Sequence, residues 1–434
     1  MRKLIKELRS NIWKQVNVQW FLHNRVAKKS FWFLTLRDRS GLGMIIVEWE
    51  DQMSRLEGMQ VGTVLSIDGT VFEEPNNKKF GLEIKNVDIS VLQAVSHVNG
   101  IDISKDDLNL EMETMIDNRI FTLRHPKQSA IFKIYANVEK SIRAFMDSND
   151  FTQINTPKII WFATEWWAEV FDFDYFEKKA CLAQSPQFYK QIMSAVYERV
   201  YEIGKAYRAE KSNSSRHISE ILMLDIEMWF IDFEFLMWFI SDMLIDVCES
   251  SRSSSSLYLE LLGSTKPVLP KKFPRISVND LHDMYFEASG EDLRWEWDIS
   301  SAEEKFICEY SAANRLSDAV IVTWFAWSDA KFYHIQNLEN PLVAERADLL
   351  FRGVEIATLT MRQTDYDKLI SQIQSQWIDP TNPWLASYLD AFKYGMPKTW
   401  WFGFGITRLV QKIIWLANVK EAELFPRDRN RLTP

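Results

Sequence analysis

Five short segments between residues 16 and 92 alternate apolar and polar side chains, and turn-forming residues separate them. A period of two places every second side chain on the same face of an extended chain, so each segment predicts a strand with one buried face. Five such strands at close spacing are typical of a small β-barrel. The N-terminal part of the chain is therefore predicted to form a barrel.

An OB-fold is the candidate barrel, since OB-folds bind single-stranded nucleic acid through aromatic side chains and a basic groove. The stretch FWFLTLRDRSG supplies Phe31, Trp32 and Phe33 as candidate faces for stacking on bases. The alternative, which applies to each of the three, is that the ring fills the barrel interior.

The chain has 434 residues, more than one compact core normally holds. We predict a barrel over residues 1–97, a hinge over 98–130 and a second domain over 131–434. The second domain mixes strand and helix patterns, which predicts an α+β fold in which helices flank an antiparallel sheet. The serine-rich stretch 249–260 predicts a mobile loop.

The first 40 residues are basic in an otherwise acidic chain. They hold ten Lys and Arg against two acids, while the net charge of the whole chain is -9. A basic module on an acidic body is suited to hold a polyanion at one end. A solvated basic surface explains the same charges equally well.

The three cysteines, Cys181, Cys248 and Cys308, lie far apart. Their spacing fits no metal site, and an odd, sparse set argues against a disulfide framework. No run of about 18 uncharged apolar residues suggests a membrane helix. We therefore expect a protein of the reducing cytoplasm that does not span a membrane.

Residues 199–231 read as two strands around a polar loop, EKSNSSRH. Arg208 ends the first strand, and Arg216 and His217 open the second. Two guanidinium groups and an imidazole that converge across a hairpin are suited to grip a triphosphate. Asp225 and Glu227 alternate with apolar residues, so both acids share one sheet face. A surface hairpin with ion pairs is the alternative.

The stretch MPKTWWFGFGITRLV, residues 396–410, contains Gly403-x-Gly405-x-x-Arg408. It predicts a strand that turns into a helix with an arginine at its mouth, a shape that suits a nucleotide phosphate. Trp400 and Trp401 stand directly before it, where their bulk would crowd a ligand.

Taken together, the motifs resemble those of the class II aminoacyl-tRNA synthetases, and within them the aspartyl branch of archaeal type, including members that charge both aspartate and asparagine tRNA. FTQINTPKII is similar to the family's dimer-interface motif 1, AYRAEKSNSSRHISE to its ATP-gripping motif 2, and FGFGITRLV to its motif 3. Several collinear motifs are more specific than any one of them.

The resemblance implies an enzyme that joins L-aspartate to ATP and then transfers the aspartyl group to the 3′ end of tRNA, either to tRNA(Asp) alone or to both tRNA(Asp) and tRNA(Asn). It also implies Mg²⁺, an OB-fold that binds the anticodon, and a homodimer. In the barrel, Phe33 and Arg37 are the implied anticodon-binding residues.

The resemblance also implies ATP-binding residues. Arg208 is expected at the α-phosphate and the amino-acid carboxylate, and Glu210 beside the adenine. The residues expected at the outer phosphates or lining the ATP strand are Arg216, His217, Gly405 and Arg408, and those expected at Mg²⁺ are Glu355 and Thr358. The alternative for Glu355 alone is an ion pair with Arg352.

For the amino acid, the resemblance implies Lys190 and Arg362 at the side-chain carboxylate and Glu165 near the ammonium group. Gln187, Arg208 and Thr358 complete the implied aspartate site. Two cations that face one pocket favour a substrate with a negative side chain, because an amide would leave them unpaired. The alternatives are an asparaginyl-tRNA synthetase, a catalytically impaired tRNA-binding paralogue, and a paralogue that makes an amide without tRNA.

Tryptophan is more frequent than glycine in this chain, with 18 residues against 14. The family pattern has glycine at ten of the tryptophan positions, namely Trp20, Trp161, Trp166, Trp167, Trp229, Trp377, Trp384, Trp400, Trp401 and Trp415. We hypothesise that UGA codons that the source organism reads as glycine were translated as tryptophan. The alternative is that the tryptophans are real; Trp166, Trp167, Trp400 and Trp401 are then predicted to line and obstruct the pocket.

Overall fold

Residues 15–93 form the closed barrel that the alternating pattern predicts, in a computed structural model that describes residues 2–98, 100–163, 169–212 and 214–433. The strands are β1 (Gln15–Ala27), β2 (Trp32–Asp38), β3 (Gly41–Val47), β4 (Val64–Glu73) and β5 (Leu82–Gln93). They close in the order β1-β2-β3-β5-β4, with β4 paired back onto β1. The OB-fold-like barrel is thus confirmed.

The barrel interior is filled by the apolar side chains of alternate strand positions, among them Leu34 and Leu36 of β2 and the fully buried indole of Trp20. The remaining elements of this part are a 3-10 helix at Ile5–Asn11 and the helices α1 (Glu50–Leu56), α2 (Met112–Asp117) and α3 (Arg119–Thr122).

An eight-stranded sheet forms the centre of the second part. The chain contributes β6 (Thr152–Gln153), β7 (Ile159–Ile160), β8 (Asp172–Tyr175), β9 (Lys178–Leu182), β10 (Arg199–Tyr207), β11 (Glu220–Trp229), β12 (Arg275–Ser277), β13 (Ala319–Thr323), β14 (Arg346–Phe351), β15 (Val354–Met361) and β16 (Thr399–Gly405). The large sheet has the order β12-β13-β14-β15-β16-β11-β10-β6, and β7-β9-β8 form a small separate sheet. The pairs from β13 to β10 are all antiparallel, which confirms the α+β class.

Helices cover the large sheet. They are α4 (Pro126–Ser148), α5 (Gln187–Tyr197), α6 (Phe233–Ser254), α7 (Ser256–Leu261), α8 (Val278–Ser289), α9 (Ser301–Ala313), α10 (Tyr366–Ser375), α11 (Pro383–Lys393) and α12 (Ile406–Ile413), with 3-10 turns at Trp327–Asp329 and Val419–Ala422. The main core joins α4, α6 and α12 to one set of alternate strand residues, such as Leu224 and Ile226 of β11 and Phe402 and Phe404 of β16. The alternate side chains on the opposite face of the sheet are not part of this core and can contribute to a functional site.

The serine-rich stretch is helical, so the prediction of a mobile loop over residues 249–260 was wrong. It ends α6 and begins α7. Ser251 and Ser255 are buried, and Asn137 of α4 donates a hydrogen bond to the Ser255 hydroxyl at 2.8 Å. Small hydroxyl side chains bond back to the helix or to a neighbour, so close packing outweighs their weak helix propensity.

The chain separates into two compact units, residues 1–129 and 130–434. The first unit contains the barrel together with α2 and α3. The finer division into a barrel at 1–97, a hinge at 98–130 and a catalytic domain at 131–434 stays a prediction. Among the described helices, none has the length and apolar character that crossing a membrane requires. The three cysteines are buried and unpaired in the second unit.

At Gly69 of β4 the backbone approaches β5 closely, so a substitution there tests how tightly the barrel is packed. A Cβ at this position would stand 2.6 Å from Cγ2 of Ile84 and 3.2 Å from the carbonyl oxygen of Lys85. We expect Gly69→Ala to lower the free energy of unfolding by about 1–3 kcal/mol through overpacking, measured by urea denaturation. The control is Gly100→Ala, where no described atom lies within 4 Å of the added Cβ. Equal effects of the two substitutions would contradict the packing argument.

Candidate functional site

A cavity of about 360 Å³ lies over the face of the large sheet that the main core leaves free. Strand register explains its floor. Asp225, Gly403, Thr358 and Asp348 face one another across β11, β16, β15 and β14 as one row. Because side chains alternate, every second residue of these strands points into the cavity and its neighbour into the core. Gly403 has no side chain, which keeps the middle of this row open.

The predicted hairpin is formed by β10 and β11, which pair from Arg199↔Met228 to Tyr207↔Glu220. Arg208 follows β10, and its backbone N–H donates to the carbonyl of Ser219 at 3.0 Å across the loop. Arg208, Glu210 and His217 all line the cavity. The hairpin thus brings these three predicted residues together, as the sequence spacing indicates.

The predicted turn from strand into helix is also present, since β16 ends at Gly405 and α12 begins at Ile406. Arg408 lies in the first turn of α12, and its Nη1 is 3.3 Å from Oε2 of Glu355. Thr358 donates its hydroxyl to Oε1 of Glu355 at 2.8 Å. Burial disfavours the charged form of Glu355, but Arg408 and the Thr358 hydrogen bond outweigh this and lower its pKa. Glu355 is therefore held as a carboxylate.

The alternative pairing of Glu355 with Arg352 is wrong. The Arg352 Nε instead binds Asp318 at 3.0 Å, and its Nη1 donates to the last carbonyls of α12, at Lys412 and Ile413. Arg352 lies in the turn between β14 and β15, whereas Glu355 lies on β15 itself.

Arg216 lines the cavity but makes a bidentate ion pair with Glu304 of α9, with N–O distances of 2.9 and 2.8 Å. Glu304 also accepts the backbone N–H of Glu355 at 2.6 Å. His217 is hydrogen-bonded through Nδ1 to the Ser214 hydroxyl at 2.6 Å. Burial lowers the pKa of His217 below its ordinary value, despite the opposing charge of Glu210, and nearby arginines lower it further.

Two buried cations lie next to the cavity. Lys190 of α5 places Nζ 2.6 Å from Oδ1 of Asp225. Arg362, directly after β15, contacts both carboxylate oxygens of Glu227 at 3.4 Å. Burial lowers the pKa of Lys190, while Asp225 raises it. The shared sheet face predicted for the two acids is therefore occupied by two ion pairs.

Trp401 separates these cations from the cavity. Its ring centre is 4.2 Å from Nζ of Lys190 and 4.4 Å from Cζ of Arg362, and the ring itself lines the cavity. Lys190 and Arg362 are completely buried, and neither is among the described residues that line the cavity. The indole Nε1 has no hydrogen-bond partner among the described residues.

Trp400, predicted to obstruct the pocket, does not. It points to the opposite side of β16, stacks on Phe233 with ring centres 5.3 Å apart, and donates Nε1 to the carbonyl of Ile231 at 2.6 Å. Strand alternation requires that two consecutive side chains face opposite ways. Glu165, Trp166 and Trp167 lie outside the described residues, so those predictions stay predictions.

The remaining predicted residues lie elsewhere. Gln187 begins α5 and is buried, but it is outside the described lining of the cavity. Phe33 and Arg37 lie on β2 in the barrel unit, on the face opposite the barrel core. Phe33 meets Phe31 edge-on at 5.0 Å, and the Arg37 guanidinium lies over the ring of Phe21 at 5.0 Å.

Several residues in or next to the cavity lie outside the predicted motifs. Asp348 lies under the cavity, is buried and is bound by Arg346 at 2.9 Å, and burial raises its pKa well above the usual range. His334 lines the cavity, and burial lowers its pKa. The only sequence signal for Asp348 is a polar residue in the apolar run RADLLF, and Glu304 lies far from any motif.

The carboxylate and hydroxyl oxygens of Glu355 and Thr358 are the hard donors that Mg²⁺ prefers. Among the described residues no cluster of three or more His, Cys, Asp or Glu is suited to a metal. Mg²⁺ is commonly held by one or two carboxylates together with substrate phosphates, and Glu355 would supply one such carboxylate. The residues present therefore fit the ion.

Comparison with known proteins agrees with this geometry. Residues 111–429 match the family model of the tRNA synthetases class II (D, K and N). The chain is 35% identical to the aspartate–tRNA(Asp/Asn) ligase of Thermus thermophilus over the full length of both proteins. It is 36% identical to the aspartate–tRNA(Asp) ligase of Thermococcus kodakarensis, over 93% of this chain and 92% of that protein.

Among solved structures, the asparaginyl-tRNA synthetase of Pyrococcus horikoshii in complex with asparaginyl-adenylate superposes with a TM-score of 0.92 and 25% identity over all of both chains. A family match over most of the chain, together with full-length relatives, agrees with the cavity and its arginines. The chain belongs to the class II tRNA synthetases (D, K and N).

Proposed function

We propose that the chain is an aspartate–tRNA ligase, which activates L-aspartate with ATP and transfers it to the 3′ end of tRNA(Asp), with tRNA(Asn) as a second acceptor. One observation carries the choice of amino acid. Lys190 and Arg362 place two buried cations beside a cavity whose other walls hold Arg208 and Arg408.

A side-chain carboxylate suits this pair of cations better than an amide does. The contacts of Arg362 with Glu227 are long at 3.4 Å, and its Nη1 has no hydrogen-bond partner among the described residues. A guanidinium carries five N–H donors, so it can fork onto a second carboxylate. Asparagine would present one neutral carbonyl oxygen and an NH₂ group that only donates, so it would leave a buried N–H of the guanidinium unsatisfied. This favours aspartate over asparagine.

ATP is assigned to the open part of the cavity. Arg208 is proposed to bridge the α-phosphate and the α-carboxylate of aspartate, while His217 and Arg408 hold the outer phosphates. Glu210 lies beside the adenine, and Gly405 lets the backbone approach the nucleotide. Arg216 must exchange Glu304 for phosphate, so its contribution is expected to be smaller. Mg²⁺, held by Glu355 and Thr358, neutralises phosphate charge when it is bound.

In the first step, an α-carboxylate oxygen of aspartate attacks the α-phosphorus of ATP. The new P–O bond forms as the bond to pyrophosphate breaks, and pyrophosphate leaves. In the second step, the terminal ribose hydroxyl of tRNA attacks the carbonyl carbon and loses its proton, and AMP leaves. Both steps depend on position and charge stabilisation rather than on a protein nucleophile. The arginines of the cavity position the substrates and stabilise the developing charge.

The barrel is proposed to bind the anticodon with the half-exposed faces of Phe33 and Arg37. A homodimer is proposed from the motif around β7, where Ile159 and Phe162 expose large apolar surfaces that a partner subunit would cover. The cytoplasm is the proposed compartment, because ATP, aspartate and tRNA occur there together.

A second candidate is a catalytically impaired tRNA-binding protein. The specific observation in its favour is Trp401, whose ring separates Lys190 and Arg362 from the cavity. In the chain with this tryptophan, aspartate must displace the ring before it reaches either cation. We therefore expect weak aspartate activation from the chain as it stands.

Removal of the Trp401 ring tests both candidates. We expect Trp401→Gly to raise aspartate-dependent ATP–pyrophosphate exchange at least about ten-fold, because the cations then face the cavity. The control is Trp415→Gly, which lies outside the cavity and is expected to leave exchange unchanged. Faster exchange with asparagine than with aspartate would identify an asparaginyl enzyme. Absence of amino-acid-dependent exchange in a folded Trp401→Gly chain that still binds tRNA would favour the impaired protein.

The ATP residues can be tested without the amino acid. Saturating Mg·ATP, at about 100 times its Kd, is expected to stabilise the chain by about 2.7 kcal/mol, seen as a rise in Tm. Arg408→Gln is expected to reduce that rise by at least about half, since it removes a charged phosphate ligand. Arg294→Gln, which removes an exposed ion pair with Asp292, is the matched control and should leave the rise unchanged. An equal rise in both variants would contradict the assignment of Arg408.

A further inference from the structure

Four tryptophans have a backbone conformation that bulky residues avoid. Trp13, Trp324, Trp377 and Trp415 have φ angles of 64°, 65°, 60° and 57°. Twelve non-glycine residues among the described part of the chain have positive φ, and four of these are tryptophan, although tryptophan is only 18 of 434 residues. A side chain with a Cβ is strained in this region, whereas glycine is not. The tryptophans therefore occur where glycine is expected.

The end of α10 shows the strain most directly. Trp377 donates its N–H to the carbonyl of Gln374, and Ile378 donates to Ile373. These two bonds define a Schellman motif, whose left-handed position is usually glycine. Helix α7 ends with the same pair of bonds, and there the left-handed residue is Gly263 with φ 66°. The two helix ends have the same geometry and differ in this residue.

Two further positions repeat the pattern. Trp415 follows α12, where the N–H of Leu416 donates to Gln411 as in a Schellman motif. Trp13 is the third residue of a turn closed by Lys14 N–H and Asn11 carbonyl at 3.0 Å. Ile12 before it has φ -57° and ψ 136°, so the turn is of type II, which requires positive φ at its third residue and hence favours glycine.

Helix ends in this chain do accept other residues, since Asp150 and Arg315 stand at the same place with φ 60° and 55°. What distinguishes tryptophan is its frequency in this conformation. Of the 16 tryptophans in the described part of the chain, four have positive φ, as do eight of the 14 glycines. Random substitution would not concentrate the largest side chain at positions that favour glycine. A codon that one genetic code translates as glycine and another as tryptophan would do so.

Trp401 gives an independent reason to expect glycine at a tryptophan position. Its backbone is an ordinary strand, but its ring fills the space that faces Lys190 and Arg362 and leaves its own N–H without a hydrogen-bond partner among the described residues. The next residue on the same face of β16 is Gly403, and a Cβ there would be 3.2 Å from the Trp401 ring. A glycine at 401 would extend the open floor of the cavity to the two cations.

We propose that residues 13, 324, 377, 401 and 415 are glycine in the protein made by its own cells, encoded by UGA codons that those cells read as glycine, and that glycine at 401 opens the space in which Lys190 and Arg362 receive a carboxylate. The part that concerns position 401 rests on the proposed function. The other four positions rest on backbone geometry alone.

Peptide sequencing by mass spectrometry of the protein purified from its native cells tests the proposal directly. Glycine is expected at all five positions, and tryptophan at Trp32 and Trp238, which have neither positive φ nor a place in the cavity. Tryptophan at positions 13, 324, 377 and 415 would overturn the proposal. The measurement reads mass and not activity, so its outcome is independent of whether the chain is an aspartate–tRNA ligase.

Backbone strain at position 377 can also be tested in the chain with tryptophan. Trp377 is 97% exposed, so its replacement removes little packing. Trp377→Gly is expected to raise Tm by about 2–4 °C, whereas Trp377→Ala, which keeps the Cβ, should change it by less than about 1 °C. Trp238→Gly, at an exposed place inside α6, is the matched control and should lower Tm. A Trp377→Gly chain no more stable than Trp377→Ala would overturn the argument from strain.

Discussion

Lys190, Asp225, Arg362 and Glu227 place four charges where their side chains are at most 4% exposed. Removing a charge from water costs several kcal/mol, and loss of one partner from a buried pair typically costs about 3–5 kcal/mol. Helix α5, strand β11 and the end of β15 must therefore dock together before any of these charges is tolerated. The same requirement fixes the two cations beside the cavity, and every inference about the amino acid depends on their positions.

The phosphate side of the cavity is organised by a different kind of contact. Glu304 binds both Arg216 and the backbone of Glu355, and Glu355 in turn binds Arg408 and Thr358. The side chains of Arg216, Arg408 and Glu355 are partly exposed, so an incoming polyanion and its cation can replace their internal partners, whereas Glu304 is buried and would lose its charged partner. The site therefore combines a fixed side-chain pocket with a more exchangeable set of phosphate ligands.

Sequence patterns predicted the parts of this fold that local chemistry determines. The barrel strands, the hairpin whose first strand ends just before Arg208, and the strand that turns into a helix at Gly405 all follow from alternation and glycine placement. The shared face of Asp225 and Glu227 was predictable too, but their partners were not, because Lys190 and Arg362 come from distant elements that only tertiary packing brings close. The resemblance, rather than spacing, pointed to those two cations.

The sequence predictions that were wrong also failed for local reasons. Trp400 was expected in the pocket because it adjoins Trp401, yet consecutive strand residues face opposite sides. The serines near residue 255 were expected in a loop because of their composition, yet burial against α4 makes them helical. Asp348 and Glu304 gave too little signal, since one polar residue within a strand or a helix has no meaning until its neighbours across the sheet are known.

The cysteines of the second unit have a practical consequence. Burial raises the pKa of Cys181 to about 11, and that of Cys248 and Cys308 to about 12. The reactive form of a cysteine is the thiolate, so at neutral pH the folded unit has almost no nucleophilic sulfur to offer an alkylating reagent or an oxidant. Each thiol becomes reactive only when its surroundings open. The rate at which the three sulfurs are labelled would therefore measure how often this unit opens locally, with no probe introduced.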